Sequence, residues 1–134
     1  MDEAENLTRI VLIIDDESEV AKSCARVLKR AGIECVTAFD GPPALALFDS
    51  HRPALVLCDI NLPTGDGFEI ARYVQQKSPK TPVVLMTADH NANSHEQAMR
   101  AGAAHYLRKP FANAELVQVV GSLLANSDSG SGTC

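Results

Sequence analysis

The chain has 134 residues, a length that fits one domain and that can bury a hydrophobic core without disulfide bonds or a structural metal. Its net charge is −5 and its basic residues are scattered singly or in pairs, which argues against direct nucleic-acid binding by this domain. No apolar run approaches the roughly 20 residues that cross a membrane, and the start of the chain is acidic, so we expect a cytoplasmic protein without a membrane partner.

Short apolar runs alternate with segments of helical periodicity along the chain. The apolar runs predict five β-strands, at residues 10–14, 34–38, 54–58, 82–86 and 104–107. Helical spacing occurs at residues 20–31, 44–48, 70–74, 94–101 and 116–124. Asp40, just before two prolines, is placed to cap the second helix, and Gly32 and Gly102 stand where a left-handed cap ends a helix. The segment 94–101 is the weakest helix, with only Ala98, Met99 and Ala101 to bury.

This alternation predicts an α/β fold with a parallel sheet and helices on both faces. The first, third and fourth strands are apolar throughout, as central strands should be, whereas the second and fifth mix polar and apolar residues. Short right-handed crossovers then give a flavodoxin-like sheet of order 2-1-3-4-5. We predict a domain at residues 9–125, an N-terminal extension at 1–8 and a flexible Gly/Ser-rich tail at 126–134.

The cysteines and histidines do not indicate a metal site. Cys24, Cys35 and Cys58 lie in apolar segments, which predicts buried, reduced thiols. Neither residue type has the spacing of zinc ligands. We expect the histidines at the surface or in packing contacts, with a minor role open for His90 near the site described next.

Polar side chains follow four of the predicted strands. Asp15 and Asp16 end the first strand, Asp59 the third, Thr87 the fourth and Lys109 the fifth. In a sheet of this order, ligands bind outside the carboxyl ends of the strands, where the strand order reverses. That point lies between the first and third strands, so we expect these five side chains to converge there.

Three nearby carboxylates repel one another, and without compensation at least one takes up a proton. A hard divalent cation with oxygen ligands removes the conflict, and a site with few protein ligands and several waters suits Mg²⁺. Lys109 adds a positive charge that can bind a phosphoryl oxygen, and the Thr87 hydroxyl adds a hydrogen-bond donor. The set predicts a site for a transferring phosphoryl group, with an aspartate nucleophile and a metal to hold the charge.

Over residues 9–125 the sequence resembles the receiver domain of two-component response regulators. The resemblance rests on "DD" at 15–16, "DINLPTGDG" at 59–67, "TA" at 87–88 and "KPF" at 109–111, in the family's order and spacing. It implies that Asp59 accepts a phosphoryl group from a phosphohistidine on a sensor histidine kinase or a histidine phosphotransfer protein. Gly65 departs from the family, which often has Met there. The resemblance fits either a stand-alone receiver or one taken from a larger protein.

The resemblance also implies a metal set. Asp16 and Asp59 would bind Mg²⁺ together with the backbone carbonyl of Asn61, and Asp15 would act largely through bound water. Asn61 and Asp89 stand at positions through which the family tunes the lifetime of the phosphoryl group.

Phosphoryl contacts and a switch are implied in the same way. Thr87, Ala88 and Lys109 would contact the phosphoryl group, and Tyr106 corresponds to the aromatic switch residue. The implied output surface is the fourth helix, fifth strand and fifth helix, which would contact a downstream output domain or protein, or a second copy in a homodimer.

Three other interpretations remain beside this one. A phosphatase with an aspartate nucleophile often has a second acid two residues further on, but here Asn61 stands there and cannot act as a general acid. A calcium loop starting at Asp59 would have Pro63 at its fifth position and Thr64 where glycine is required. A receiver-like interaction module that is never phosphorylated usually lacks one of the acidic residues or the lysine, and this chain retains them all.

Overall fold

The structure, a computed structural model, describes residues 9–88 and 92–133. The strands are β1 (Ile10–Ile14), β2 (Glu34–Ala38), β3 (Leu55–Asp59), β4 (Val83–Thr87) and β5 (His105–Arg108). The helices are α1 (Ser18–Arg30), α2 (Gly41–His51), α3 (Gly67–Lys77), α4 (Ala92–Arg100) and α5 (Asn113–Thr133). Strands and helices alternate along the described chain, as the periodicity predicts.

The five strands form one parallel sheet of order β2-β1-β3-β4-β5, which confirms the predicted flavodoxin-like topology. β1 pairs with both β2 and β3, so the chain order reverses beside β1. In the register, Ile14 lies beside Cys58, and Asp59 beside Met86. The carboxyl ends of β1, β3 and β4 therefore meet at one edge of the sheet.

A hydrophobic core covers each face of the sheet. In β3, Val56 and Cys58 belong to one cluster and Leu55 and Leu57 to the other, as the two-residue period of a strand requires. The helical members of the first cluster come from α2, α3 and α4: Ala44, Phe48, Ile70, Ala71, Val74 and Ala98. Those of the second come from α1 and α5: Ala21, Cys24, Leu28, Leu116, Val120 and Leu124.

Three strands lie one residue later than the apolar runs predict. β3 ends at Asp59, β4 at Thr87 and β5 at Arg108. The hydrogen bonds of a sheet are made by the backbone, so a polar residue can continue a strand after its apolar run has stopped. The two predicted site residues Asp59 and Thr87 are thus part of their strands.

The predicted helix boundaries are confirmed at three positions. Gly32 and Gly102 have φ angles of +87° and +98°, the left-handed conformation that glycine adopts without strain. Asp40 caps α2, and its side chain accepts a hydrogen bond from the Gly41 N–H at 2.7 Å.

The weakly predicted fourth helix is present, with a different buried set. Ala98 and Ala101 are buried as expected, but Met99 is 46% exposed and Ser94 is buried instead. A helix this short buries only one narrow stripe, and Met99 follows Ala98 by about 100° around the axis, which turns it toward solvent.

The thiols follow the prediction in two cases of three. Cys24 and Cys58 are buried, but Cys35 on the edge strand β2 is only half-buried because no further strand covers that side. Burial raises the pKa of Cys24 to about 11 and that of Cys35 to about 12, so both thiols stay protonated at neutral pH.

The last helix continues to Thr133, past the boundary predicted at residue 125. Residues 1–8 and 134 lie outside the described part, and the mobility predicted for the tail stays a prediction. Across residues 9–88 and 92–133, no helix has both the length and the apolar composition that a membrane crossing needs.

Candidate functional site

Three aspartates meet at the carboxyl edge of the sheet, as predicted. Carboxylate oxygens of Asp15, Asp16 and Asp59 all lie within 4.8 Å of one another. Asp15 and Asp59 are buried, whereas Asp16 is exposed. The topology explains the cluster, because β1 and β3 are neighbours and Asp15 follows β1 while Asp59 ends β3.

Lys109 lies between the two buried aspartates. Its Nζ donates to Asp15 Oδ2 and to Asp59 Oδ2, both at 2.7 Å, and lies 3.8 Å from Glu17 Oε1. The Lys109 backbone N–H donates to the Thr87 carbonyl at 2.8 Å, which fixes the start of the side chain at the sheet edge. The Lys109 ammonium therefore offsets part of the negative charge at the ends of β1 and β3.

Burial and pairing act in opposite directions on the pKa values of this group. Burial raises the pKa of Asp15, and the hydrogen bonds from Lys109 and from the Glu17 N–H offset only part of that effect. Burial lowers the pKa of Lys109, but its two hydrogen-bonded carboxylates outweigh burial, and the pKa lies above its ordinary value. Lys109 therefore stays charged at neutral pH, and a negative charge on Asp15 is costly.

The segment after β3, residues 60–66, is the acceptor loop, and it orients Asp59. The Asn61 N–H donates to Asp59 Oδ1 at 2.9 Å, while Oδ2 faces Lys109. The loop closes with a 2.7 Å hydrogen bond from the Gly67 N–H to the Ile60 carbonyl. A Cβ at Gly67 would lie 2.6 Å from the Asp59 carbonyl oxygen, so only glycine fits this closure.

A groove of about 380 Å³ opens over the cluster. Its lining consists of Asp16, Glu17, Asp59, Asn61, Leu62, Pro63, Ala88 and Lys109. A second, mostly apolar hollow of about 500 Å³ shares Glu17, Ala88 and Lys109 with the groove and extends between α1 and the start of α5. Glu17 lines both and was missed by the sequence analysis, since nothing in its local pattern distinguishes it from other exposed acidic residues.

The remaining predicted residues fall into three groups. Thr87 is buried at the end of β4, while the neighbouring Ala88 is exposed in the groove. Tyr106 is half-buried on β5, with its ring edge-on to His95 of α4 at 5.2 Å between centroids. Its hydroxyl is buried and has no hydrogen-bond partner among the described residues. Asp89 and His90 lie outside the part of the chain that the structure describes.

The donor set fits a hard divalent cation. Three carboxylates share the site with one ammonium, so an excess of negative charge remains on oxygen donors. Oxygen ligands around a partly open groove match the preference of Mg²⁺, which keeps several of its waters. Asp16 is exposed and not bonded to Lys109, so it is the carboxylate most available to an incoming ion.

The fold and this site define a class of protein, and comparison with known proteins agrees. The sequence profile of the response regulator receiver domain matches residues 11–121, and the chain belongs to that family. It is therefore a phosphorelay signalling domain of two-component systems.

Full-length relatives are transcriptional regulators. The transcriptional regulatory protein PrrA of Mycobacterium tuberculosis is 38% identical over 114 residues, 85% of this chain and 49% of that protein. The DNA-binding transcriptional regulator NtrC of Escherichia coli is 35% identical over 111 residues, 83% of this chain and 24% of that protein. The chain thus spans about half or less of the length of these relatives.

Solved receiver structures match the whole fold. The receiver domain of NtrX from Brucella abortus has a TM-score of 0.81 at 32% identity, covering 86% of this chain and 98% of that one. A CheY-like receiver domain protein from Methanospirillum hungatei has a TM-score of 0.87 at 24% identity, covering 91% and 98%. At 24% identity, the match to the Methanospirillum hungatei protein shows that the two chains share a fold.

Proposed function

We propose that Asp59 accepts a phosphoryl group from a phosphohistidine on a sensor histidine kinase or a histidine phosphotransfer protein. A bond forms between an Asp59 carboxylate oxygen and phosphorus as the phosphorus–nitrogen bond breaks, and the imidazole nitrogen leaves with that electron pair. The observation that carries this proposal is the contact of Lys109 Nζ with Asp59 Oδ2 at 2.7 Å, within a cluster of three carboxylates.

The proposed roles of the chain's own residues follow from charge. Lys109 is an ammonium already at the acceptor, so it can pass from the carboxylate to a phosphoryl oxygen as negative charge arrives there. The Thr87 hydroxyl and the Ala88 backbone would contact the other phosphoryl oxygens from the end of β4. The Asn61 N–H would keep Asp59 oriented throughout the transfer.

We assign the proposed metal set to Asp16, Asp59 and the Asn61 backbone carbonyl, with Asp15 acting through water. Mg²⁺ bound there would supply positive charge that offsets the carboxylates and the negative charge of a phosphoryl group. The carboxylates would hold the ion, and the Lys109 ammonium would balance the negative charge that the ion does not offset.

The proposed partners follow from the surfaces around the site. The apolar hollow between α1 and the start of α5 shares Lys109 with the groove, so a protein seated there would have a phosphohistidine within reach of Asp59. Output would pass through α4, β5 and α5 to an output domain or protein, or to a second copy of the chain. We propose a cytoplasmic domain of residues 9–125 that does not itself bind nucleic acid.

A small phosphodonor tests the function without a partner protein. Wild type incubated with acetyl phosphate and Mg²⁺ should gain one phosphoryl group by intact mass, and Asp59→Asn should gain none. Asp66→Asn is the matched control, because Asp66 lies in the same loop but caps α3 through the Glu69 N–H. Turnover of many equivalents of donor would instead indicate a phosphatase, and no labelling of the folded protein would indicate an interaction module.

A further inference from the structure

Asp40 joins two loops at the edge of the site. Its Oδ1 accepts hydrogen bonds from the Gly41 N–H at 2.7 Å and from the Thr64 N–H at 2.9 Å. The first bond caps α2, which the sequence predicts. The second reaches across 24 residues to the tip of the acceptor loop, and no sequence pattern indicates it.

The rest of the acceptor loop has few attachments of its own. Its two ends are held by the Gly67 N–H on the Ile60 carbonyl and by the Asp66 side chain at the start of α3. Among the described residues, the Thr64 N–H and the Thr64 side chain both bond the middle of the loop, residues 62–65, to Asp40 outside it.

The turn before α2 also packs tightly against the loop. A Cβ built on Gly41 would lie 2.8 Å from the Thr64 carbonyl oxygen, a distance that real Cβ atoms do not tolerate. The absence of a side chain at Gly41 therefore lets the turn approach closely enough for the Asp40 carboxylate to reach the Thr64 N–H.

The loop transmits this attachment to the acceptor. Asn61 stands three residues before Thr64, and its N–H holds Asp59 Oδ1 while Lys109 holds Oδ2. Because the Asn61 N–H is bonded to Asp59 Oδ1, a shift of the loop that moves this N–H also rotates the Asp59 carboxylate. Misplacement of reacting groups by about 1 Å can cost as much as a factor of 100 in rate.

We propose that Asp40 is a positioning residue for phosphoryl transfer, whose carboxylate holds the acceptor loop so that Asn61 orients Asp59. This inference rests on the proposed phosphorylation of Asp59. Burial raises the pKa of Asp40, but the hydrogen bonds from Thr64 and Gly41 outweigh it and leave the pKa below its ordinary value, which agrees with a carboxylate held in its charged form.

The test compares variants in two measurements. Initial rates of phosphorylation by acetyl phosphate are measured at saturating Mg²⁺, and the amide resonances and hydrogen exchange of Asn61 and Thr64 are measured without donor. Asp40→Ala should lower the rate roughly tenfold and speed exchange at both amides, since the loop tip is released. Asp40→Asn keeps an oxygen acceptor and should restore both measurements most of the way to wild type.

Two further variants separate positioning from stability. Val120→Ala lowers stability from the opposite face of the sheet, and it should label at the wild-type rate while folded. Gly41→Ala keeps the Asp40 carboxylate but pushes the turn from the Thr64 carbonyl, so it should slow labelling as Asp40→Ala does.

Each outcome decides the inference. It is overturned if folded Asp40→Ala labels at the wild-type rate, or if its Asn61 amide is unchanged. Should Asp40→Ala fail to fold, a folded Gly41→Ala that matches wild type in both measurements overturns it equally. If wild type itself is not labelled, the proposed function fails, and the Asn61 amide still decides whether Asp40 positions the loop.

Discussion

At the scale of single residues, the degree of burial decides how strongly the negative charge of each aspartate in the cluster destabilises the folded protein. Asp15 is fully buried, and even its 2.7 Å ion pair with Lys109 does not offset the loss of solvation. Asp16 points to solvent, which screens its charge. The charge on Asp15 therefore lowers the stability of the folded protein, whereas the charge on Asp16 has only a small effect.

Asp15 should make stability fall with rising pH. Its pKa in the folded protein is raised above the ordinary 3.8, so the folded state binds its proton more tightly than the unfolded chain. Stability is then lost as the pH rises from 3.8 through the raised pKa. An asparagine cannot ionise, so the Asp15→Asn variant does not lose stability in this way. In EDTA, its free energy of unfolding should exceed that of wild type by more at about pH 7 than at about pH 4.

Urea melts across that pH range measure the difference. Val120→Ala, which removes no titratable group, is the control and should show no such trend. A difference between Asp15→Asn and wild type that is constant with pH would mean that Asp15 does not titrate differently on folding.

At the scale of elements, close backbone approach fixes the turn from β3 into α3. Gly67 begins α3, and a Cβ there would lie 2.6 Å from the Asp59 carbonyl oxygen and 2.9 Å from the Ile60 Cα. Both neighbours are backbone atoms, so no side-chain rotation can relieve the clash.

Gly67→Ala should therefore lower stability by about 1–3 kcal/mol and also slow phosphorylation of Asp59. Gly121 in α5 is the matched control, because a Cβ there meets nothing within 4 Å. Gly121→Ala should raise stability by about 0.5–1 kcal/mol. Urea melts of both variants make the comparison, and equal effects of the two substitutions would contradict the close approach at Gly67.

Of the two helices α1 and α4, it is α4, which packs beside β5, that is better suited to move. The Tyr106 hydroxyl is buried and has no hydrogen-bond partner among the described residues. α4 is anchored by the small buried side chains of Ser94 and Ala98 and exposes Met99. By contrast, α1 buries Ala21, Cys24 and Leu28.

We predict that beryllofluoride, a mimic of the phosphoryl group, changes hydrogen exchange in α4 and β5 and leaves α1 unchanged. The physical reason is that a bound ligand shifts the element with the smallest free-energy difference between two arrangements. Exchange measured by mass spectrometry with and without beryllofluoride gives the answer, with Asp59→Asn as the control that cannot bind it. Changes confined to α1 would show that the switch lies elsewhere.

At the scale of the whole molecule, we expect the excess negative charge of the site to couple Mg²⁺ binding to folding. An ion that binds only the folded state stabilises it by mass action. In EDTA, Asp16→Asn should be more stable than wild type, by up to about 1 kcal/mol, because one repelling charge is gone. In excess Mg²⁺ the order should reverse, since the variant lacks a metal ligand.

Thermal melts in EDTA and in a series of Mg²⁺ concentrations measure both effects. Arg100→Gln is a suitable control, because it changes an exposed charge in the ion pair with Glu96 away from the site. The metal assignment fails if Asp16→Asn is stabilised by Mg²⁺ as much as wild type.

The sequence by itself determined the architecture and the edge of the sheet at which the site lies. Two periodicities distinguish strands from helices, and short right-handed connections leave few topologies for five alternating units. Because the polar residues follow the strands directly, their convergence comes with the topology. The positions of Asp15, Asp59, Thr87 and Lys109 could be predicted for that reason.

Only the tertiary structure decided which groups touch. Lys109 bonds to Asp15 and Asp59, which lie 94 and 50 residues away, and its reach depends on how long side chains pack at the sheet edge. The bond of Asp40 to Thr64 likewise requires two turns to pack to within one side chain's length. Periodicity describes which face a residue occupies, whereas contacts depend on distances of a few tenths of an ångström set by the packing of the whole core.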